Sequence, residues 1–312
     1  MAKSDNAKVW AELWKTSVKK PDKEADRMQA VRWNQRSDHF GKHREEDKGR
    51  QQKKVADVLA ILKDAGFKPK GATVLDIGCG PGALSVPLAK AGAKVTAFDI
   101  ASGMLDRLKE TVKDEKLDIT TIEGSWYTAD IDKLKFRKKF DLVLASMTPA
   151  VRDLETFDRM MACSKKYCYY SNFIKRDMGG KAHMEIHKIL CETTGAKECA
   201  PVSHEHLHGQ KDHDHGPAGH EKGPGPGLVY PFMYLYTLGY QPVIRMSHVK
   251  RVNERDWEEA ADRTIEGLEK KKPLSDDTKK KLRDYYKSAS KGGKFRSESE
   301  TYSGMMVWKL KN

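Results

Sequence analysis

The stretch VLDIGCGPG (74–82) decides how this chain folds. An apolar run of strand length, ATVLDIG (72–78), leads directly into three glycines, and the pattern of GALSVPLAKAG (82–92) predicts a helix. Glycine is needed where the backbone turns sharply and approaches a ligand with no side chain in the way. The stretch therefore predicts a buried strand, a ligand-binding turn and a helix, in that order.

Strand and helix patterns alternate after this turn. Such alternation predicts an α/β protein with a parallel sheet and helices on both of its faces. Two late segments would add an antiparallel edge and complete a seven-stranded, mostly parallel sheet. The predicted strands are ATVLDIG (72–78), KVTAFDI (94–100), ITTIEG (119–124), FDLVLAS (140–146), KYCYYSNF (166–173), PVIRMSHVKRV (242–252) and TYSGMMVWKL (301–310).

One elaborated α/β domain is expected for 312 residues, and its parts differ in composition. Residues 1–50 are predicted to form an N-terminal helical cap, and residues 51–200 the core of the domain. Residues 201–228 are rich in histidine, glycine and proline, which predicts a long loop. Residues 229–312 would continue the same domain, with a charged helical insertion at 254–290.

Composition narrows the functional classes. No apolar run approaches about 18 residues, so no membrane span is predicted. The N-terminus lacks an apolar signal region, and the five cysteines contain no CxxC pair, which together predict a cytoplasmic protein with reduced thiols. The net charge of +13 points to nucleic acid, but lysines interleaved with acids, as in KKKPLSDDTKKKLRD (270–284), favour a solvated helical surface.

Asp99 indicates the kind of ligand. It lies 23 residues after Asp76, at the end of the next predicted strand. A carboxylate in this position can accept hydrogen bonds from both hydroxyls of a ribose. The spacing therefore predicts a cofactor that contains a nucleoside, although the glycine pattern is G-x-G-x-G and not the G-x-G-x-x-G of dinucleotide-binding proteins.

The glycine loop, Asp99 and FDLVLASMTP (140–149) occur in the order found in one known family. In these motifs the chain resembles the class I methyltransferases that depend on S-adenosylmethionine (SAM). The resemblance is to their small-molecule branch, which includes the ubiquinone and menaquinone methylases, and it covers roughly residues 50–175. It implies a Rossmann-like fold, SAM as the cofactor, and methyl transfer to a small organic acceptor.

The resemblance also implies roles for individual residues. Asp76 would orient the amino group of the methionine part, directly or through water. The glycine loop (Gly78, Cys79, Gly80 and Gly82) would line the amino-acid and ribose side. Asp99 would hold the ribose, with Ile100 packed on the adenine.

Four other segments complete the implied cofactor site. Ser125 and Trp126 would flank the adenine, although a tryptophan there would equally suit the core. Ser146 and Met147 would lie near the sulfonium, at the carboxyl end of the fourth strand. Trp33 and Arg36 match an aromatic-plus-basic motif that covers the cofactor, or else have a structural role.

Direct methyl transfer requires mainly that donor and acceptor are aligned, and sometimes that a proton is removed. The candidates for a base are His39, His43, Glu123 and His183, each of which fits a structural or exposed residue at least as well. The sequence SMTP (146–149) stands where enzymes that methylate an adenine or glutamine amino group carry an Asn-Pro-Pro-Tyr type of motif. This difference argues against such acceptors.

Six of the eleven histidines lie in SHEHLHGQKDHDHGPAGHEKG (203–223). Neutral imidazole is a common ligand of divalent transition metals such as Zn, Ni or Co, and alternating histidines of an extended segment point the same way. The candidate ligands are His204, His206, His208, His213 and His215. A metal-binding accessory, a loop without ligand and a lid over the substrate are the three interpretations.

Two alternatives to a small-molecule methyltransferase follow from these features. An RNA methyltransferase would use the basic surface, and its binding would weaken steeply with salt. A metal-binding or sensory protein would use the methyltransferase scaffold around the histidine-rich loop, without turnover.

Overall fold

A computed structural model describes residues 5–18, 23–37, 45–177, 180–194, 227–269 and 272–311. The strands are β1 (Thr73–Ile77), β2 (Lys94–Asp99), β3 (Ile119–Glu123), β4 (Phe140–Ser146), β5 (Ser164–Asp177), β6 (Val243–Asp256) and β7 (Lys294–Lys309). The helices are α1 (Asp5–Ser17), α2 (Lys23–Ser37), α3 (Glu45–Asp64), α4 (Ser85–Lys90), α5 (Ser102–Glu115), α6 (Leu154–Cys163), α7 (Gly180–Thr194), α8 (Val229–Thr237), α9 (Trp257–Glu269) and α10 (Asp276–Ala289).

The seven strands form one sheet in the order β3-β2-β1-β4-β5-β7-β6. Strands β1 to β5 run parallel, with Val74 of β1 opposite Val95 of β2 and Leu142 of β4. The two C-terminal strands pair antiparallel with each other and form an antiparallel edge of the sheet. The predicted seven-stranded, mostly parallel sheet is therefore confirmed. The chain adds β2 and β3 on one side of β1 and β4 on the other. Ligands of open α/β sheets bind at this reversal, outside the carboxyl ends of the strands.

Strand β4 explains why the central strands are apolar on both faces. Leu142 and Leu144 belong to one buried apolar cluster, together with residues of α3 and α4. Val143 and Ala145 belong to another, together with residues of α1, α6 and α8. Successive side chains of a strand point to opposite faces, so a strand covered on both faces must be apolar throughout.

Helix α1 joins the second of these clusters through Trp14. Ala7, Ala11 and Trp14 are buried and recur on one face of the helix. The Trp14 indole N–H donates to the carbonyl oxygen of Arg152 at 2.9 Å, and its ring lies 5.2 Å from that of Phe157. The N-terminal segment is thus built into the core by one large aromatic side chain and one hydrogen bond.

The described residues separate into two compact units. The first contains the described residues of 1–174, 226–246 and 303–312, and the second those of 175–225 and 247–302. The predicted C-terminal part, 229–312, is therefore divided between the units, whereas the predicted loop 201–228 lies outside the described residues except for its last two. None of the described helices has the length and apolar character needed to cross a membrane.

The second unit has an apolar cluster of its own. Helices α9 and α10 fall within the helical insertion predicted at 254–290, and α7 packs with them. Ile186 of α7, Ala261 of α9 and Leu282 of α10 are almost fully buried in this cluster. The Thr264 and Tyr286 hydroxyl groups lie 2.7 Å apart in a buried hydrogen bond. The insertion therefore buries enough apolar surface to be a packed element and not a surface loop.

Candidate functional site

The three glycines of the loop after β1 are required for different structural reasons. All three have positive φ, at 67° for Gly78, 54° for Gly80 and 91° for Gly82. A Cβ on Gly78 would lie 2.0 Å from Thr148 Oγ1, and one on Gly82 would lie 2.4 Å from a methyl carbon of Leu108. A Cβ on Gly80 would meet nothing within 4 Å. Gly78 and Gly82 thus permit close packing, whereas Gly80 leaves bare backbone facing open space.

Asp99 connects this loop to the start of α5. Its carboxylate accepts a hydrogen bond from Gly80 N–H at 2.8 Å on one oxygen and from Ala101 N–H at 2.9 Å on the other. Burial raises the pKa of Asp99, and these backbone donors oppose that rise. Each carboxylate oxygen has two lone pairs, so both oxygens can still accept from a ligand hydroxyl.

Asp76 lies beneath the glycine loop. It is 3% exposed and accepts a hydrogen bond from Ser85 Oγ, in the first turn of α4, at 2.6 Å. Burial raises the pKa of Asp76 to about 7, and the nearby charge of Asp99 adds to the rise. The carboxyl group is therefore poised to change its ionisation near neutral pH.

A cavity of about 200 Å³ lies above the glycine loop. Its wall is formed by the segments that follow β1, β2, β3 and β4, the last residues of β2, the first turn of α5 and one face of α2. This is the carboxyl edge of the sheet, at the reversal of strand order. Two carboxylates, those of Asp26 and Asp99, face this wall, and among the residues that the structure describes no lysine, arginine or histidine lines it.

Nine of the thirteen predicted cofactor residues surround this cavity, and four do not. Asp76 and Gly82 are buried behind its wall, the Ser146 hydroxyl lies 3.0 Å from that of Ser171 on the neighbouring strand, and the Arg36 guanidinium lies 5.4 Å from the centre of the Trp33 ring. The nine that line the cavity are Trp33, Gly78, Cys79, Gly80, Asp99, Ile100, Ser125, Trp126 and Met147.

Trp126 serves the core and the cavity wall together. It is 2% exposed, its N–H donates to the carbonyl oxygen of Thr156 at 3.1 Å, and its ring lies 5.5 Å from that of Phe98. Its neighbour Tyr127 also lines the cavity and was missed by the sequence reasoning. The hydrogen bonds of both residues hold the loop after β3 in place.

Tyr127 stands at the edge of the cavity in a hydrogen-bonded group. Its hydroxyl donates to the Asp153 carboxylate at 2.9 Å and accepts from Arg152 Nε at 3.0 Å. Burial raises the pKa of Tyr127 to about 12, so the hydroxyl keeps its proton at neutral pH. Asp153 also caps α6, which ties this part of the wall to a buried helix.

Helix α2 contributes two further residues that the sequence reasoning missed. Asp26, Gln29 and Trp33 lie three and four positions apart, which brings them to one face of the helix, and all three line the cavity. The signal that could have found them is this helical spacing around Trp33. After β4, Met147 and the buried Thr148 also line the cavity, and Met147 has a positive φ of 51°.

The remaining predicted residues lie elsewhere. His183 is on α7 in the second unit and does not line the cavity, and Glu123 ends β3 without lining it. His39, His43 and the five candidate metal ligands, His204, His206, His208, His213 and His215, lie outside the described residues. In the part of the chain that the structure describes, no three His, Cys, Asp or Glu side chains are grouped so that they could hold a metal ion.

Residues 74–166 match the sequence model of a family described as a methyltransferase domain. This range begins in β1, includes the glycine loop, Asp99 and the segment after β4, and ends in β5. The resemblance to the class I SAM-dependent methyltransferases is confirmed, and the matched range is less than a third of the chain.

Curated relatives match over a similar share of the chain. The ubiquinone biosynthesis O-methyltransferase of Pelagibacter ubique is 35% identical over 103 residues, which are 31% of this chain and 41% of that protein. The cypemycin N-terminal methyltransferase of a Streptomyces species is 42% identical over 76 residues, which are 24% of this chain and 28% of that protein. The chain thus spans less than half the length of these relatives.

Solved structures of methyltransferases are similar at lower identity. Magnesium protoporphyrin IX methyltransferase from Synechocystis PCC 6803, solved with bound SAH, is 16% identical with a TM-score of 0.47. The alignment covers 98% of this chain and all of that chain.

Proposed function

We propose that this chain binds SAM in the cavity above the glycine loop and transfers its methyl group to a small organic acceptor. One observation carries the proposal: the cavity lies at the carboxyl edge of a methyltransferase domain, between the glycine loop and Asp99. The edge is the side at which open α/β sheets bind nucleoside ligands.

The residues of the cavity fit the parts of SAM. Gly80 presents backbone with open space where a Cβ would stand, and the Asp99 oxygens can each accept one more hydrogen bond, as a ribose requires. Ile100 and Trp126 offer apolar surface for an adenine. The acidic wall suits a cofactor that carries a positive sulfonium and a positive amino group.

The chemistry of SAM is a methyl group on a sulfonium that is already a good leaving group. The protein must therefore mainly align the acceptor with the methyl group and exclude water. Pro149 and Ala150 extend the wall after β4 with apolar surface, and α2 contributes a further part of the wall. Of the two carboxylates in the described lining, that of Asp99 is assigned to the ribose, so proton removal, where an acceptor needs it, would fall to Asp26 or to solvent.

The charge of the wall limits the acceptor. Because the described lining contains two carboxylates and no cationic side chain, a neutral or positively charged acceptor is favoured over a carboxylate or phosphate. The relatives named above are an O-methyltransferase and an N-terminal methyltransferase. Both names support a hydroxyl or amine of an organic molecule as the acceptor class.

The test is to follow a labelled methyl group from SAM into fractionated cell extract incubated with the purified protein. The expected result is label in a small extractable compound. This compound should bind to a cation exchanger, or to neither a cation nor an anion exchanger. Label in a nuclease-sensitive fraction would replace the proposal with the RNA alternative. Bound SAM without transfer to any fraction would contradict an enzyme and support the sensory alternative.

A further inference from the structure

Helix α5 begins without a capping side chain of its own. The N-cap position is occupied by Ala101, which has no side-chain acceptor, whereas the first N–H groups of a helix require acceptors from outside it. One acceptor comes from α2: Asn34 Oδ1 accepts a hydrogen bond from Gly103 N–H at 2.9 Å, and Ser102 Oγ lies 3.5 Å from the same oxygen. A residue of one helix thus caps another.

Gly103 permits this approach of the two helices. A Cβ at this position would lie 2.7 Å from Ser37 Oγ and 3.3 Å from Asn34 Oδ1. Ser37 is only 6% exposed, and its hydroxyl donates to the backbone carbonyl of Asn34 at 2.7 Å. The contact is therefore close-packed at Gly103 and Ser37 and hydrogen-bonded through Asn34, which fixes where α2 lies on α5.

The cap adjoins the cavity at both of its ends. On α2, Asn34 follows Trp33, which lines the cavity together with Gln29 and Asp26. On α5, the capped first turn follows Ala101, whose N–H donates to Asp99. The same junction therefore determines the position of the α2 wall relative to the carboxylate proposed to hold the ribose.

We propose that Asn34 is a positioning residue for SAM: by capping α5 it holds the cavity-facing side of α2 against the cofactor. The inference rests on the proposed function, because the cavity concerned is the one assigned to SAM. Asn34 itself does not line the cavity, so its effect on SAM passes through the placement of Trp33 and its neighbours.

The experiment compares Asn34→Ala, which removes the acceptor, with Asn34→Asp, which keeps one. SAM binding to the full chain is measured by calorimetry, and the melting temperature is measured alongside. Loss of a helix cap should weaken SAM binding by about five- to tenfold in Asn34→Ala, and Asn34→Asp should stay within about twofold of the wild type. The matched control is Ser275→Ala, which removes the side-chain cap of α10 in the second unit.

The control separates positioning from stability. Ser275→Ala should lower the melting temperature without changing the affinity for SAM. If Asn34→Ala also leaves the affinity unchanged, the inference is overturned, and Asn34 is only a structural cap. Gly103→Ala is a second variant, which displaces Ser37 and keeps Asn34. It should weaken SAM binding as well. Unchanged affinity in a folded Gly103→Ala protein would equally contradict the inference.

Hydrogen exchange distinguishes failure of this inference from failure of the proposed function. In Asn34→Ala the amides of residues 23–37 and 102–108 should exchange faster than in the wild type, whether or not SAM is added. Wild-type protein that binds no SAM would overturn the proposed function, and with it the role of Asn34 toward SAM. Wild-type protein that binds SAM, with exchange in both segments unchanged by Asn34→Ala, would overturn the inference alone.

Discussion

Asp76 should make the affinity for SAM dependent on pH. It is buried beneath the glycine loop, and burial raises its pKa to about 7. The family resemblance assigns this carboxylate to the positive amino group of the methionine part, and a nearby cation would hold it ionised. SAM binding below neutral pH must therefore release the proton of Asp76, so the affinity should fall as the pH falls.

The size of the effect follows from the ionised fraction. With a pKa of about 7, half of the Asp76 side chains are ionised at that pH, and only about one in eleven at one pH unit lower. The dissociation constant of SAM should therefore rise roughly fivefold between about pH 7 and about pH 6. An amino group with an ordinary pKa near about 8 stays mostly protonated over this range and contributes little to the change.

The burial of Asp76 also affects the stability of the protein. Stability should fall as the pH rises, whereas the affinity for SAM should increase. The native state holds the proton of Asp76 up to a pKa of about 7, whereas the unfolded chain loses it at an ordinary pKa of about 3.9. Native stability therefore falls as the pH rises between these two values, by at most about 4 kcal/mol. Asp76→Asn should raise the melting temperature at pH 8, because a buried amide carries no charge at this pH. The same substitution should weaken SAM binding, because the amide offers no negative charge to the amino group of the cofactor.

Calorimetry would measure the affinity for SAM and the release of protons together. Wild type and Asp76→Asn are titrated with SAM across about pH 6 to 7, in two buffers of different ionisation enthalpy. SAH, which has the same amino-acid part, should show the same pH dependence. An equal pH dependence in wild type and Asp76→Asn would refute the reasoning, and so would proton uptake on binding.

Three further predictions concern packing and the histidine-rich loop. Gly78→Ala should destabilise the protein by at least about 2 kcal/mol more than Gly71→Ala, because both positions have positive φ but only the first places a Cβ on Thr148; chemical denaturation measures this, and equal losses would contradict it. Trp14→Phe, which removes a buried hydrogen bond, should lower the free energy of unfolding by about 1–3 kcal/mol, and a loss below about 0.5 kcal/mol would show that the bond is unimportant. Deletion of 203–223 should abolish binding of Zn, Ni or Co and preserve SAM binding, and metal binding that survives in the deletion variant would remove the accessory interpretation.

The sequence predicted the central part of the fold because three patterns depend on local chemistry. Continuous apolar strands, glycines at positive φ and a carboxylate after β2 each have a physical requirement that few other residues meet. This is why the glycine loop, Asp99 and the carboxyl edge of the sheet could be predicted from the sequence.

The rest of the site depends on contacts between elements distant in sequence. On the cavity face of α2 only Trp33 was predicted, because Asp26 and Gln29 are polar residues typical of a solvated surface. Their place in the cavity wall depends on the packing of α2 on α5. Ser146 was assigned to the cavity, but its register opposite Ser171 on β5 gives its hydroxyl a partner there. The division into two units could not be predicted from the sequence, because the boundary between the units falls within β5, β6 and β7, where the strand pattern continues without a break.

Equilibrium binding of SAM to the wild type, Asp99→Asn and Asp106→Asn tests the central claim most directly. Asp106 is an exposed residue of α5 paired with Lys109, so its substitution changes the same charge away from the cavity. We predict one SAM bound per wild-type chain, unchanged affinity in Asp106→Asn, and affinity about ten- to a hundredfold weaker in Asp99→Asn. Wild-type protein without measurable SAM binding, or equal affinity in wild type and Asp99→Asn, would contradict it.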